Sequence, residues 1–173
     1  MRKVLVFDTS ILCAWLRVPG KETCGPDDDR WDPERVDEKI DTEQRAGTLF
    51  VLPLASIVET GNHIAQAAHS RRERAAELAR LMRESAEERS PWAAFTDQSG
   101  LWTAERLKGL AETWPDLAVQ KLSLGDTTIK FVAEHYAQAG YAVEILTGDR
   151  GLKSYEPITP AEIPRRRGGG RSG

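Results

Sequence analysis

Apolar residues along this chain gather in short solid runs, with longer stretches between them in which apolar positions recur at helical spacing. The run Lys3-Val4-Leu5-Val6-Phe7, closed by Asp8 and followed by Thr9-Ser10 and a further apolar stretch, has the pattern of a buried strand turning into a helix. Thr48 to Leu52 reads as a strand, with Pro53 at the first position of a helix that carries Leu54, Ala55, Ile57 and Val58. Ala142 to Thr147 reads as another apolar strand, after which Gly148 turns the chain into Asp149-Arg150-Gly151-Leu152. After Leu124-Gly125, Ile129, Val132, Ala133, Tyr136 and Ala137 recur with the period of a helix whose apolar face is turned inward. His69 to Arg89 reads as a surface helix laced with ion pairs, and Leu101 to Trp114 as a further helix ended near Pro115.

Four acids stand where these elements meet. Asp8 and Asp149 follow strand ends, Asp126 opens the helix after Leu124-Gly125, and Glu59 is embedded in the hydrophobic helix after Pro53. Taken singly, Asp8, Asp126 and Asp149 read as helix caps, whose oxygens satisfy free N–H groups of a first turn. Glu59 alone reads as a flank residue paired to an arginine. Taken together they point to a shared site, because ligands of open α/β sheets bind outside the carboxyl ends of the strands.

Elementary electrostatics restricts such a site. Two carboxylates about 4 Å apart repel by roughly 4 kcal/mol at an effective dielectric near 20. They must be protonated, held apart or neutralised by a cation. All-oxygen ligands without clustered histidine or cysteine suit Mg²⁺ or Mn²⁺ rather than zinc. An ion of that kind keeps waters and takes phosphate oxygens as further ligands, which points to phosphodiester hydrolysis. Nearby polar residues fit supporting roles. Ser10 and Thr147 are placed to hydrogen-bond a carboxylate or a substrate phosphate, and Arg150 and Lys153 to neutralise a phosphate, although turn and surface roles account for the same residues.

At these positions the chain resembles the PIN-domain ribonucleases, and among them the VapC-like toxins. The segments that carry the resemblance are Val4-Leu5-Val6-Phe7-Asp8-Thr9-Ser10, Pro53 through Glu59, Gly125-Asp126-Thr127-Thr128-Ile129 and Leu146-Thr147-Gly148-Asp149-Arg150. It spans Lys3 to Pro157, with the four acids in the family's order. The resemblance implies a three-layer α/β/α sandwich around a short, mainly parallel sheet, and Mg²⁺- or Mn²⁺-dependent endoribonuclease activity. Asp8, Asp126 and Asp149 would hold the metal, and Glu59 would complete its shell or orient water. It implies cleavage leaving a 5′-phosphate and a 3′-hydroxyl, with an antitoxin protein and a second copy of the chain as partners. Two other classes stay open: a non-catalytic RNA-binding or assembly module, and a structure-specific DNA nuclease.

Composition adds bounds. At 173 residues, 40% hydrophobic and 29% charged, the chain is expected to form one domain over 1–160, with 161–173 a disordered Arg/Gly-rich tail. The formal net charge of −3 is unusual for a nucleic-acid enzyme, but acid is concentrated at Asp27-Asp28-Asp29 and at the proposed metal site. No run is long enough to span a bilayer and the N-terminus does not read as a signal peptide, so a cytoplasmic protein without a membrane partner is expected. Cys13 and Cys24 have no paired metal-binding spacing. Neither a phosphate-binding loop with its lysine nor a dinucleotide fingerprint is present. A haloacid-dehalogenase-type phosphatase would need an aspartate where Ser10 stands. The segment from Val18 to Pro33 reads as an exposed loop, long for a compact domain, with no role that the sequence selects.

Overall fold

The computed structural model describes residues 1–158. The Arg/Gly-rich segment 161–173 lies outside them. In chain order the elements are β1 (Lys3–Phe7), α1 (Thr9–Trp15), α2 (Pro33–Arg45), β2 (Leu49–Val51), α3 (Leu54–Gln66), α4 (Arg71–Ala86), α5 (Ala104–Val119), α6 (Leu124–Gln138), β3 (Ala142–Leu146) and α7 (Arg150–Lys153). Single 3₁₀ segments occupy Asp27–Asp29 and Phe95–Trp102. All three expected strands form, with β2 and β3 slightly shorter than the apolar runs that announced them.

The sheet has three strands in the order β2-β1-β3, and both pairings are parallel. Val4 and Val6 of β1 lie opposite Leu49 and Val51, while Lys3 and Phe7 lie opposite Ala142 and Leu146. The chain leaves the central strand toward one side and returns on the other. The switch point of the topology is therefore the C-terminal end of β1, where Asp8 follows.

Strand alternation divides the core between the two faces of the sheet. Leu5 and Phe7 pack with Ile11, Leu12, Ile64, Leu78 and Leu81 from α1, α3 and α4. Val4 and Val6 pack with Ile129, Val132, Ala133 and Tyr136 from α6 and with Leu152 from α7. Helices thus cover both faces, an α/β arrangement compatible with three layers. Val4 through Phe7 are wholly buried, and each such side chain contributes roughly 1.5–3 kcal/mol relative to exposure. Phe7 lies 5.2 Å from Phe50 and 5.6 Å from both Trp15 and Trp92, ring centre to ring centre. The outer edge of β2 is closed by backbone hydrogen bonds between Phe50 and the segment Pro91–Ala93, so no long unpaired edge remains there.

A second polar element ties the opposite end of the sheet. Lys3 and Lys39 both pair with Glu43 and Glu144 at 2.5–2.9 Å. Thr48 also donates to Glu43 at 2.6 Å. This joins β1, α2, β3 and the residue before β2.

Two local readings need correction. Helix α5 does not end at Pro115 but runs through it to Val119. Its residues Ala111 and Pro115 are exposed, so water can serve the carbonyl that the missing N–H leaves free. Asp126 is not a cap: Ser123 caps α6 and Asp126 is its third residue. Trp92 is buried in the core, whereas Trp102 is 43% exposed. The helix over Arg71–Ala86 carries the expected ion pairs, Arg74 with Glu73 and Glu77 and Arg80 with Glu84. Among the described residues no helix is long and apolar enough to cross a membrane.

Candidate functional site

Asp8, Glu59, Asp126 and Asp149 line one open cleft of about 450 Å³ at the C-terminal end of the sheet. They arrive from four different elements. β1 delivers Asp8, α3 delivers Glu59, the first turn of α6 delivers Asp126, and the turn after β3 delivers Asp149.

Asp8 is the most enclosed of them, 4% exposed. Its Oδ1 accepts from the Thr9 amide at 2.6 Å, and its Oδ2 accepts from the Ser10 hydroxyl at 2.5 Å and the Thr147 hydroxyl at 2.7 Å. Asp8 is therefore both the cap of α1 and a wall of the cleft, so the two readings of its sequence context hold together. Burial pushes its carboxyl above the ordinary range, while the hydrogen bonds from Ser10, Thr147 and the two backbone amides draw it down. Asp149 likewise caps α7, accepting from the Gly151 amide at 2.6 Å through Oδ1. Its own amide donates to the Thr147 hydroxyl at 2.9 Å. Thr147 thus links two of the acids directly.

Asp126 is held by Ser123, whose hydroxyl donates to Oδ2 at 2.7 Å and accepts from the Asp126 amide at 3.0 Å. Burial raises the Asp126 carboxyl above its usual range; the Ser123 hydrogen bond opposes this, and the charges of Asp8 and Asp149 add to it. Asp126 therefore feels the charge of both other aspartates. Glu59 receives the Thr9 hydroxyl at 2.9 Å. A Cβ on Gly125 would collide with Glu59 Oε1. Glycine at that position is what lets the Glu59 carboxylate approach the start of α6.

The supporting residues divide. Ser10 and Thr147 serve carboxylates, as one of their two readings held. Ser10 also accepts from the Gly148 amide at 3.1 Å. Arg150 and Lys153 are directed elsewhere: Arg150 pairs with Asp28, and Lys153 donates to the Ile145 carbonyl and to Glu156. Neither lines the cleft. Thr9, Ser123, Lys21, Thr23 and Cys24 line the cleft with the acids, although their sequence contexts did not mark them. For Thr9 and Ser123 a signal existed, since each directly flanks or caps an element that carries an acid. For Lys21, Thr23 and Cys24 there was none, because their position depends on the course of the loop after α1. Cys13, in the core of α1, and His63, one turn beyond Glu59, also reach this cleft. Burial pushes the Cys13 thiol up to about 11, so it is an unreactive neutral group.

Among the described residues, no group of three or more His, Cys, Asp or Glu side chains is drawn together as a closed metal cage. The donor set nevertheless suits a hard, hydrated cation. Mg²⁺ binds through one or two carboxylates and keeps several waters, so the acids need not converge on one point. Among the described residues, Asp126 Oδ1 and Asp149 Oδ2 accept no protein hydrogen bond, which leaves one oxygen of each carboxylate available, while Glu59 Oε1 lies against Gly125. No family model, curated protein or solved structure matches this chain.

Proposed function

We propose that this chain is a Mg²⁺- or Mn²⁺-dependent endoribonuclease of PIN-like architecture. The observation that carries the reading is the assembly of Asp8, Glu59, Asp126 and Asp149 from four elements onto one cleft at the switch point of a parallel sheet. Caps for α1 and α7 account for Asp8 and Asp149, whereas Glu59 and Asp126 cap no helix: each is held by one hydroxyl, of Thr9 and of Ser123, and lines the same space.

Asp8, Asp126 and Asp149 would hold the ion, with Glu59 beside them. Such an ion, when bound, lowers the pKa of water and offsets charge on a phosphate. The chain's own residues supply the rest. Ser10 and Thr147 fix the Asp8 carboxylate by donating to it, and Thr9 fixes Glu59 in the same way. These donors fix the orientation of both carboxylates in the wall of the cleft. A toxin role, with an antitoxin segment covering the cleft, extends this reading.

Purified protein incubated with total RNA and Mn²⁺, Mg²⁺ or EDTA tests the proposal. Wild type cuts RNA with either metal and not with EDTA, and Asp8→Asn keeps its fold but does not cut. RNA left intact with both metals excludes the enzyme and leaves a binding module. Cutting of DNA in preference to RNA assigns the same chemistry to a different substrate.

A further inference from the structure

The strap between α1 and α2, from Val18 to Asp32, has no regular helix beyond the 3₁₀ turn Asp27–Asp29, yet it is fastened along its course. Cys24 and Trp31 exchange backbone hydrogen bonds at 3.0 and 2.8 Å. Gly25, at φ +87°, makes the turn between them, and a Cβ there would run into the Asp29 carbonyl, so no other residue fits at that position. Arg35 of α2 stacks over Trp31 at 3.9 Å and pairs with Asp29 at 2.8 Å. On the other side Asp28 holds Arg150, and Cys24 packs against Gly148, where an added Cβ would meet its Sγ at 2.7 Å. The strap is thus anchored both to α2 and to the turn that carries Asp149.

Between its start at Val18, whose amide donates to the Cys13 carbonyl at 2.9 Å, and Cys24, the strap hangs Lys21 and Thr23 over the acidic cleft. The basic side chains lining that cleft are Lys21 and His63. Among the described residues Lys21 forms no ion pair, although carboxylates line the same space. The arginine and lysine beside Asp149 are occupied by Asp28 and Glu156. An anionic chain entering a cleft walled by four carboxylates meets repulsion that a cation must offset, and a flexible ammonium is suited to a phosphate oxygen as a point charge.

We infer that Lys21, presented by the anchored strap, is the residue that takes a backbone phosphate of the nucleic-acid substrate beside the bond to be cut. This rests on the nuclease reading. Arg150 then acts on substrate only indirectly, by holding the strap through Asp28.

The test is cleavage of a fluorescein-labelled single-stranded RNA with Mn²⁺, across a series of NaCl concentrations, by wild type, Lys21→Ala, Lys21→Arg and Arg45→Ala. Lys21→Ala raises KM about tenfold with kcat within about twofold, and reduces the slope of log(kcat/KM) against log[salt] by about 1, since one phosphate contact is lost. Lys21→Arg restores both, and Arg45→Ala, which removes an exposed charge at the far end of α2, changes neither. A Lys21→Ala protein with the wild-type KM and salt slope overturns the inference while leaving the nuclease intact. Wild type that cuts no RNA overturns the nuclease reading and the inference with it, an outcome visible before any variant is compared.

Discussion

The hydroxyl of Thr147, just past β3, donates to Oδ2 of Asp8, just past β1, across 2.7 Å. The two residues are 139 positions apart and are brought together because β1 and β3 are neighbours in a parallel sheet in register from Lys3–Ala142 to Phe7–Leu146. The same hydroxyl accepts from the Asp149 amide. One threonine thereby sets the relative position of two of the four acids.

Thr147→Val keeps the shape of this residue and removes both hydrogen bonds. Asp8 loses a donor inside a buried setting, so folding stability falls by about 1–3 kcal/mol. RNA cleavage falls about 10- to 100-fold, the range for residues that orient metal-holding groups. A urea titration and a cleavage time course measure both; unchanged cleavage would show that Asp8 is oriented without Thr147.

Gly125→Ala separates the site from the fold. The new methyl group collides with the end of a flexible side chain, Glu59 Oε1, which can swing aside at little cost. Melting temperature therefore stays within a few degrees of wild type, while cleavage falls at least tenfold because Glu59 is displaced. Equal losses of stability and activity would mean that Glu59 could not move and the helix start was distorted instead.

Metal binding should be visible without turnover. If Asp8, Asp126 and Asp149 hold a divalent ion, Mn²⁺ at about one hundred times its Kd stabilises the native state by about 2.7 kcal/mol. Asp126→Asn and Asp8→Asn abolish most of that shift; in EDTA the melting temperature of Asp126→Asn stays close to wild type, while that of Asp8→Asn is lower, because an amide nitrogen cannot accept from Ser10 and Thr147 as Oδ2 does. A melting curve indifferent to Mn²⁺ in wild type counts against the metal.

The Lys3–Lys39–Glu43–Glu144 network gives a pH dependence remote from the cleft. Burial alone would raise the Glu43 carboxyl, but hydrogen bonds from Lys3, Lys39 and Thr48 outweigh it and hold it down at about 2, against 4.5 ordinarily. A depressed folded value means that the unfolded chain takes up the proton first. The contribution is complete above about pH 4.5 and is lost as the pH falls toward 2. It is on the order of 3 kcal/mol for the whole network. Denaturant midpoints between pH 7 and pH 2 should fall more steeply for wild type than for Glu43→Gln; parallel curves would assign acid lability to other carboxylates.

Local features were legible in the order of residues. Strands announced by apolar runs formed, and the helix over Leu124–Gln138 turned its periodic apolar face inward. The contexts of Asp8 and Asp149, strand end followed by helix start, matched the fold because a cap is a property of adjacent residues. The helix through Pro115 and the Ser123 cap departed from expectation because exposure and side-chain geometry, more than residue type, decided them.

Periodicity and neighbouring residues were enough to announce the three strands, most of the helices and the presence of four acids at element junctions, whereas α2 was not read from them. Strand order, and with it the approach of Asp8 to Thr147 and Asp149, belongs to the tertiary structure alone, because parallel neighbours are joined by long crossovers whose course no local pattern records. The fate of the cations was settled there as well. Arg150 and Lys153 stand next to Asp149 in the chain but pair with Asp28 and Glu156, whereas Lys21, remote from every motif, is carried to the cleft by a strap anchored through Trp31, Asp28 and Cys24.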